Sequence, residues 1–199
     1  MCENLKNQTS YTLLDRALDL NDEDAWREMH EKYRKYIYFL LHRLEVAPSE
    51  VEEFAQQVMV GLMTKLKQYD RQKGKFRAWL SVVVRNEVLQ SYRQQQSRSR
   101  MLERYANELE QASSGEGTDL DKVILTEWQQ YIFDLAKERM RGHASASAIE
   151  VMDLTLAGYT VDEIVTKVGV AKGTVYNLRQ IVKQLLSKQV QVVRRELEG

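Results

Sequence analysis

Between Tyr69 and Arg93 the chain reads YDRQKGKFRAWLSVVVRNEVLQSYR, and this stretch gathers side chains suited to a polyanion. Arg71, Lys73, Lys75 and Arg77 stand at alternate positions around a turn set by Asp70 and Gly74. Long cations of this kind neutralise phosphates. Arg85, Asn86, Gln90 and Arg93 then follow on the side of a helix opposite Phe76, Leu80, Val83, Val84, Val88 and Tyr92. Amide and guanidinium forks select bases, and the rings of Tyr69, Phe76 and Trp79 offer faces on which unpaired bases stack. From Lys65 to Arg104 there are eleven Lys and Arg against three carboxylates. Charge alone is equally consistent with a solvated basic face.

A second set lies between Thr160 and Leu186. Thr160 and Glu163 form a capping box, Gly169 supplies a turn, and Lys172 begins a second helix. Ile164, Val165, Val168, Val170, Val175 and Leu178 fall at the buried positions of a helix-turn-helix. The exposed side then presents Lys172, Thr174, Tyr176, Asn177, Arg179, Gln180 and Lys183, a set that can hold phosphates and read base edges in a major groove. A helix-turn-helix used only for packing or dimerisation is the alternative.

A third set has a different chemistry. Glu52, Gln56, Met59 and Met63 fall close together on one helix, beside its core face. Acid, amide and thioether together suit a protein partner, because Met adapts to an opposing surface. A boundary stripe touching its own neighbours would read the same way.

These sets need helices to carry them. The 199 residues contain 9 glycines and one proline, so breakers are few and an all-α protein is expected. A short helix over Tyr11–Leu20 precedes one capped by Asn21 or Asp22 and running to about Leu44. Ser49 and Glu52 form an expected capping box for the next, to about Leu66. After Arg93 the segment QQQSRSR and the polar run to Asp121 read as a linker, and apolar periodicity resumes at Val123. The expected organisation is a short helix (1–20), a first domain (21–97), a linker (98–122) and a second domain (123–199).

Net charge is zero, with 29 Lys and Arg against 29 Asp and Glu, yet the charge is segregated. Lys167 to Arg195 holds seven basic residues and no acid, while acid dominates the start and the middle. Two basic zones separated by an acidic one suggest two nucleic-acid modules. Cys2 is the only cysteine, and His30, His42 and His143 lack ligand spacing, so neither a disulfide nor a metal or other cofactor is expected. No phosphate-cradling glycine motif and no nucleophile beside a base is present, which argues against an enzyme. The start lacks a secretory pattern and no apolar run reaches a membrane span, so a cytoplasmic location is expected.

Taken in order, VEEFAQQVM, YDRQKGKFRAWLSVVVRN and YTVDEIVTKVGVAKGTV resemble three motifs of the extracytoplasmic-function (group 4) sigma factors of bacterial RNA polymerase. The resemblance implies a helical region 2 bundle and a region 4 helix-turn-helix joined by a flexible linker. It implies docking on core RNA polymerase through Glu52, Glu53, Gln56, Gln57, Met59 and Met63. It implies capture of single-stranded minus 10 bases by the loop at Tyr69 to Lys75 and the helix face at Asn86, and reading of duplex minus 35 DNA by the second domain. An anti-sigma protein is a further implied partner. The sequence departs from the family pattern at Gln90, at Gln94 after Arg93, at Tyr176–Leu178, and where HASASAIEV replaces the usual opening of the second domain. The competing reading is a stand-alone helix-turn-helix regulator binding an operator as a dimer.

Overall fold

A computed structural model describes residues 12–95 and 119–198. The chain is all-α, with no strand among the described residues, and divides into two compact units, Met1–Tyr131 and Ile132–Gly199. Most of the expected linker, Cys2, Arg98, Arg100 and Arg104 lie outside the described residues.

In the first unit, α1 (residues 12–16) is shorter than the expected Tyr11–Leu20 helix and buries Leu13 and Leu14. Helix α2 (Glu23–Arg43) starts at Asp22, whose carboxylate accepts from the Ala25 amide at 2.8 Å. Arg16 grips the same carboxylate at 2.9 Å through two nitrogens. That ion-paired hydrogen bond, more than the Ala25 amide, holds the Asp22 carboxyl below its ordinary range. Ala25, Met29, Tyr33, Tyr36, Ile37, Leu40 and Leu41 form the buried stripe expected from their spacing. At its end, Val46 N–H bonds to Leu41 carbonyl and Glu45 N–H to His42 carbonyl, a Schellman ending with Glu45 at φ 55°.

Helix α3 (Val51–Lys65) turns Val51, Phe54, Ala55, Val58 and Leu62 to the core and tightens into a 3-10 turn, Leu66–Gln68. Its expected capping box is not formed. The N-cap residue is Glu50 with no side-chain cap bond, and the Glu52 carboxylate instead accepts a hydrogen bond from the Tyr38 hydroxyl of the neighbouring helix. Helix α4 (Phe76–Gln95) buries Phe76, Leu80, Val83, Val84, Val88, Leu89 and Tyr92 against α2 and α3. Burying each such side chain contributes about 1.5–3 kcal/mol before entropy is subtracted.

Helix α5 (Asp119–Arg141) begins before Val123, where the second domain was expected to open. Its first part, with Leu120, Ile124, Trp128 and Tyr131 buried, belongs to the first unit. The physical reason is aromatic: Trp128 and Tyr131 meet the Tyr36 ring at 4.8 and 5.0 Å.

In the second unit, the remainder of α5 is followed by α6 (Ala146–Leu156), α7 (Val161–Val168) and α8 (Lys172–Glu198). Ser145 caps α6, and Gly158 follows it at φ 87°. Thr160 and Glu163 form the expected capping box, and Gly169 closes α7 at φ 73°, a conformation in which a Cβ would be strained. Ile164 and Val175 are fully buried with Val151. Val165, Val168, Val170 and Leu178 pack around them half-buried, so the helix-turn-helix core is as expected. No helix among the described residues is long and apolar enough to cross a membrane.

Candidate nucleic-acid and partner interfaces

The basic loop is built by short-range bonds. Asp70 accepts from the Gln72 amide at 2.9 Å, its carbonyl accepts from Lys73 N–H at 3.1 Å, and the Tyr69 hydroxyl donates to Gly74 carbonyl at 3.0 Å. These bonds leave Arg71, Lys73 and Lys75 exposed, with Arg71 ion-paired to Asp15 and Lys73 3.9 Å from Asp70. Leu14, Asp15 and Leu18 line one side of a cavity of about 530 Å³ against residues 66–73, the 3-10 turn and the start of this loop. Tyr69, Phe76 and Trp79 form a ring triad with centroids 5.3–5.5 Å apart.

The structure separates the residues expected to meet single-stranded DNA. Asn86, Gln90 and Arg93 are exposed, and their spacing of four and three puts them on one face of α4. Tyr69, Arg77 and Trp79 are half-buried. Two expected contacts are not at the surface. Phe76 is buried, edge-on to Tyr33 at 4.9 Å, because its spacing with Leu80 and Val83 puts it on the core stripe. Arg85 is 2 % exposed, bonded to the buried Ser81 one turn back and to Glu127 of α5 at 2.6 Å. Standing one residue before Asn86, it points about 100° away from that face.

On α3, Glu52, Glu53, Gln56 and Gln57 are exposed while Met59 and Met63 are half-buried. Gln57 donates to Glu53 at 3.2 Å and Gln56 to Glu52 at 3.5 Å. Tyr38 donates to Glu52, Arg34 donates to Tyr38 at 3.0 Å, and the Arg34 guanidinium lies 3.6 Å from Glu52. The Tyr38 hydrogen bond holds the Glu52 carboxyl below its usual range. Between α2 and α3 runs a groove of about 270 Å³ lined by Arg34, Tyr38, Glu52, Gln56, Met59 and Val60, with His30 at its end. Val60, 65 % exposed, and the α2 residues were not in the expected stripe. An apolar Val60 one turn after Gln56 was the available signal; the α2 wall depends on pairing of helices that no local spacing reveals.

On α8, Lys172, Thr174, Tyr176, Asn177, Gln180 and Lys183 are exposed, as the pattern requires. Lys172 pairs with Asp162 at 2.7 Å, and this hydrogen bond raises the pKa of its ammonium group. Arg179 differs from its expected role. Half-buried, it donates through Nε to the Thr155 hydroxyl at 3.0 Å and through Nη2 to the Tyr159 carbonyl at 3.3 Å. It thus ties α8 to the end of α6, which lacks a basic residue in its last turn.

No group of three or more metal-ligating side chains occurs among the described residues. Residues 29–98, about a third of the chain, match the family model of sigma-70 region 2. That segment contains most of α2, the whole of α3, the basic loop and α4, and the match supports a sigma-70 family sigma factor. No curated protein matches the chain.

Proposed function

We propose that this protein is a sigma factor of the extracytoplasmic-function kind, a non-enzymatic subunit that acts in the cytoplasm, docks on bacterial core RNA polymerase and directs it to promoters. The observation that carries this reading is the sigma-70 region 2 match over residues 29–98, which coincides with the groove, the basic loop and the Asn86 face. The groove between α2 and α3 would receive a polymerase element, with Met59 and Val60 supplying adaptable apolar contact and Glu52 and Gln56 polar contact.

Melting follows from differential binding. The loop and the exposed Asn86, Gln90 and Arg93 hold single-stranded bases that are out of reach in a duplex. Their binding energy offsets an unpairing cost of a few kcal/mol. The exposed α8 side chains would read duplex minus 35 DNA in the major groove.

Co-purification with bacterial core RNA polymerase tests this reading. Wild type is expected to be retained, and Gln56→Arg combined with Met59→Glu is expected to be lost while its circular dichroism is unchanged. Well-folded wild type that fails to bind polymerase would overturn the sigma reading and favour a stand-alone helix-turn-helix regulator.

A further inference from the structure

Two cations of the segment expected to face DNA, Arg85 and Arg77, and one core ring of α2, Tyr36, meet the first part of α5. Arg85 is paired with Glu127, itself 7 % exposed; Arg77 lies over the Trp128 ring at 4.9 Å; Tyr36 meets the same ring edge-on at 4.8 Å. An aromatic surface can be covered by apolar side chains alone, and a buried ion pair is commonly no more stable than a hydrophobic replacement. Here the covering helix brings a carboxylate to a buried guanidinium whose Nε has no hydrogen-bond partner. Glu127 meets Arg85 through one contact, Nη2 to Oε2, while Nη1 donates to Ser81; one anionic oxygen on one guanidinium N–H is a contact that a phosphate oxygen can also make.

We infer that Leu120–Tyr131 is an intramolecular clamp in which Glu127 stands in for a DNA phosphate. Promoter DNA competes for Arg85 and Arg77 by displacing the Glu127 carboxylate and the Trp128 ring. This rests on the proposed promoter binding and adds to it a step that costs binding energy until DNA supplies the replacement contacts. The free protein is thereby biased against stray polyanions.

The test uses the full chain and a short single-stranded oligonucleotide of random sequence, with affinity followed by fluorescence anisotropy over a salt series. Glu127→Gln with Trp128→Leu is expected to bind several-fold more tightly at low salt. Its log K against log salt plot is expected to steepen by about 0.7 for each arginine that gains a phosphate. Adding Arg85→Gln should remove the part of the gain due to Arg85, which separates a released guanidinium from the mere loss of one negative charge. Unchanged affinity and slope in a folded variant would overturn the clamp, as would a gain that survives Arg85→Gln in full.

A second measurement does not depend on the variant folding. Hydrogen exchange on wild type is expected to show the amides of residues 120–131 losing protection when the oligonucleotide is added; unchanged or increased protection overturns the proposal. Wild type that binds polymerase while its variant gains nothing removes only the clamp. Wild type that binds neither polymerase nor DNA, with a variant that also binds no DNA, removes both readings.

Discussion

The cation-bearing helices of the two units hold their charges in different ways. Around α4, Arg71 is paired with Asp15, Arg77 stacks on Trp128 and Arg85 is buried against Glu127. Along α8, Lys172 is paired with Asp162 at the surface and Lys183 stands exposed beside Asn177 and Gln180, while Arg179 alone of the expected contacts is drawn substantially inward, to neutral oxygens rather than to a carboxylate. A surface that meets duplex DNA can be rigid and preformed, because the duplex already exists. One that was to meet unpaired bases would have to wait for them, and internal partners occupy Arg71, Arg77 and Arg85 meanwhile. The contrast matches the chemistry each unit would face.

The largest effect that would sharpen the contrast is expected within α8. Arg179→Ala removes two hydrogen bonds from a charged donor and should destabilise the second unit by about 1.5–3 kcal/mol in urea denaturation. Lys183→Ala should leave stability within about 0.5 kcal/mol while lowering the salt slope for duplex binding by about 0.9. If Arg179→Ala behaved like Lys183→Ala, Arg179 would belong with the exposed reading face after all.

A smaller effect is expected at the loop. Asp15→Asn releases Arg71 at a stability cost below about 1 kcal/mol, since the pair is exposed, and should steepen the salt slope for single-stranded oligonucleotides by about 0.7. An unchanged slope would mean that Asp15 does not restrain the loop.

The smallest is a pH effect. Glu163 is held below its ordinary pKa of 4.5, chiefly by the Thr160 hydroxyl, so its folded form favours the carboxylate. Its contribution is fully present above about pH 4.5 and is lost as pH falls through the lowered value. Melting temperatures of wild type and Glu163→Gln should therefore differ at neutral pH and converge in acid. A gap that persisted unchanged in acid would show the carboxylate charge to be irrelevant to the cap.

What could be read from the chain was whatever is settled locally. Thr160, Glu163 and Gly169 fix the helix-turn-helix through contacts at most a few residues apart, and the apolar spacing of α4 identifies its core without knowledge of what it packs on. The misplaced residues are those decided at a distance. Local spacing puts Arg85 beside Asn86, because the carboxylate that buries it lies 42 residues away. Glu52 had the spacing for a capping box, but Tyr38 of another helix claims its carboxylate. The period of α5 runs unbroken through Trp128, Ile132, Ala136 and Met140, so no local break marks where one unit yields to the other. Tyr159 and Thr155, which hold Arg179, carry no signal that a spacing rule could detect.

Glu45 bears on how the groove between α2 and α3 behaves as a mechanical part. It turns the chain from α2 toward α3 at φ 55°, a position where glycine is the easy choice and a side chain costs about 1–2 kcal/mol. Glycine would also let the unfolded chain and the corner itself sample more conformations. With glutamate there, the two walls bearing Arg34 and Tyr38 on one side and Glu52 and Gln56 on the other are joined through a corner less free than glycine would make it. The corner has fewer conformations open to it than a glycine would allow, which favours a partner shaped to the gap as it stands.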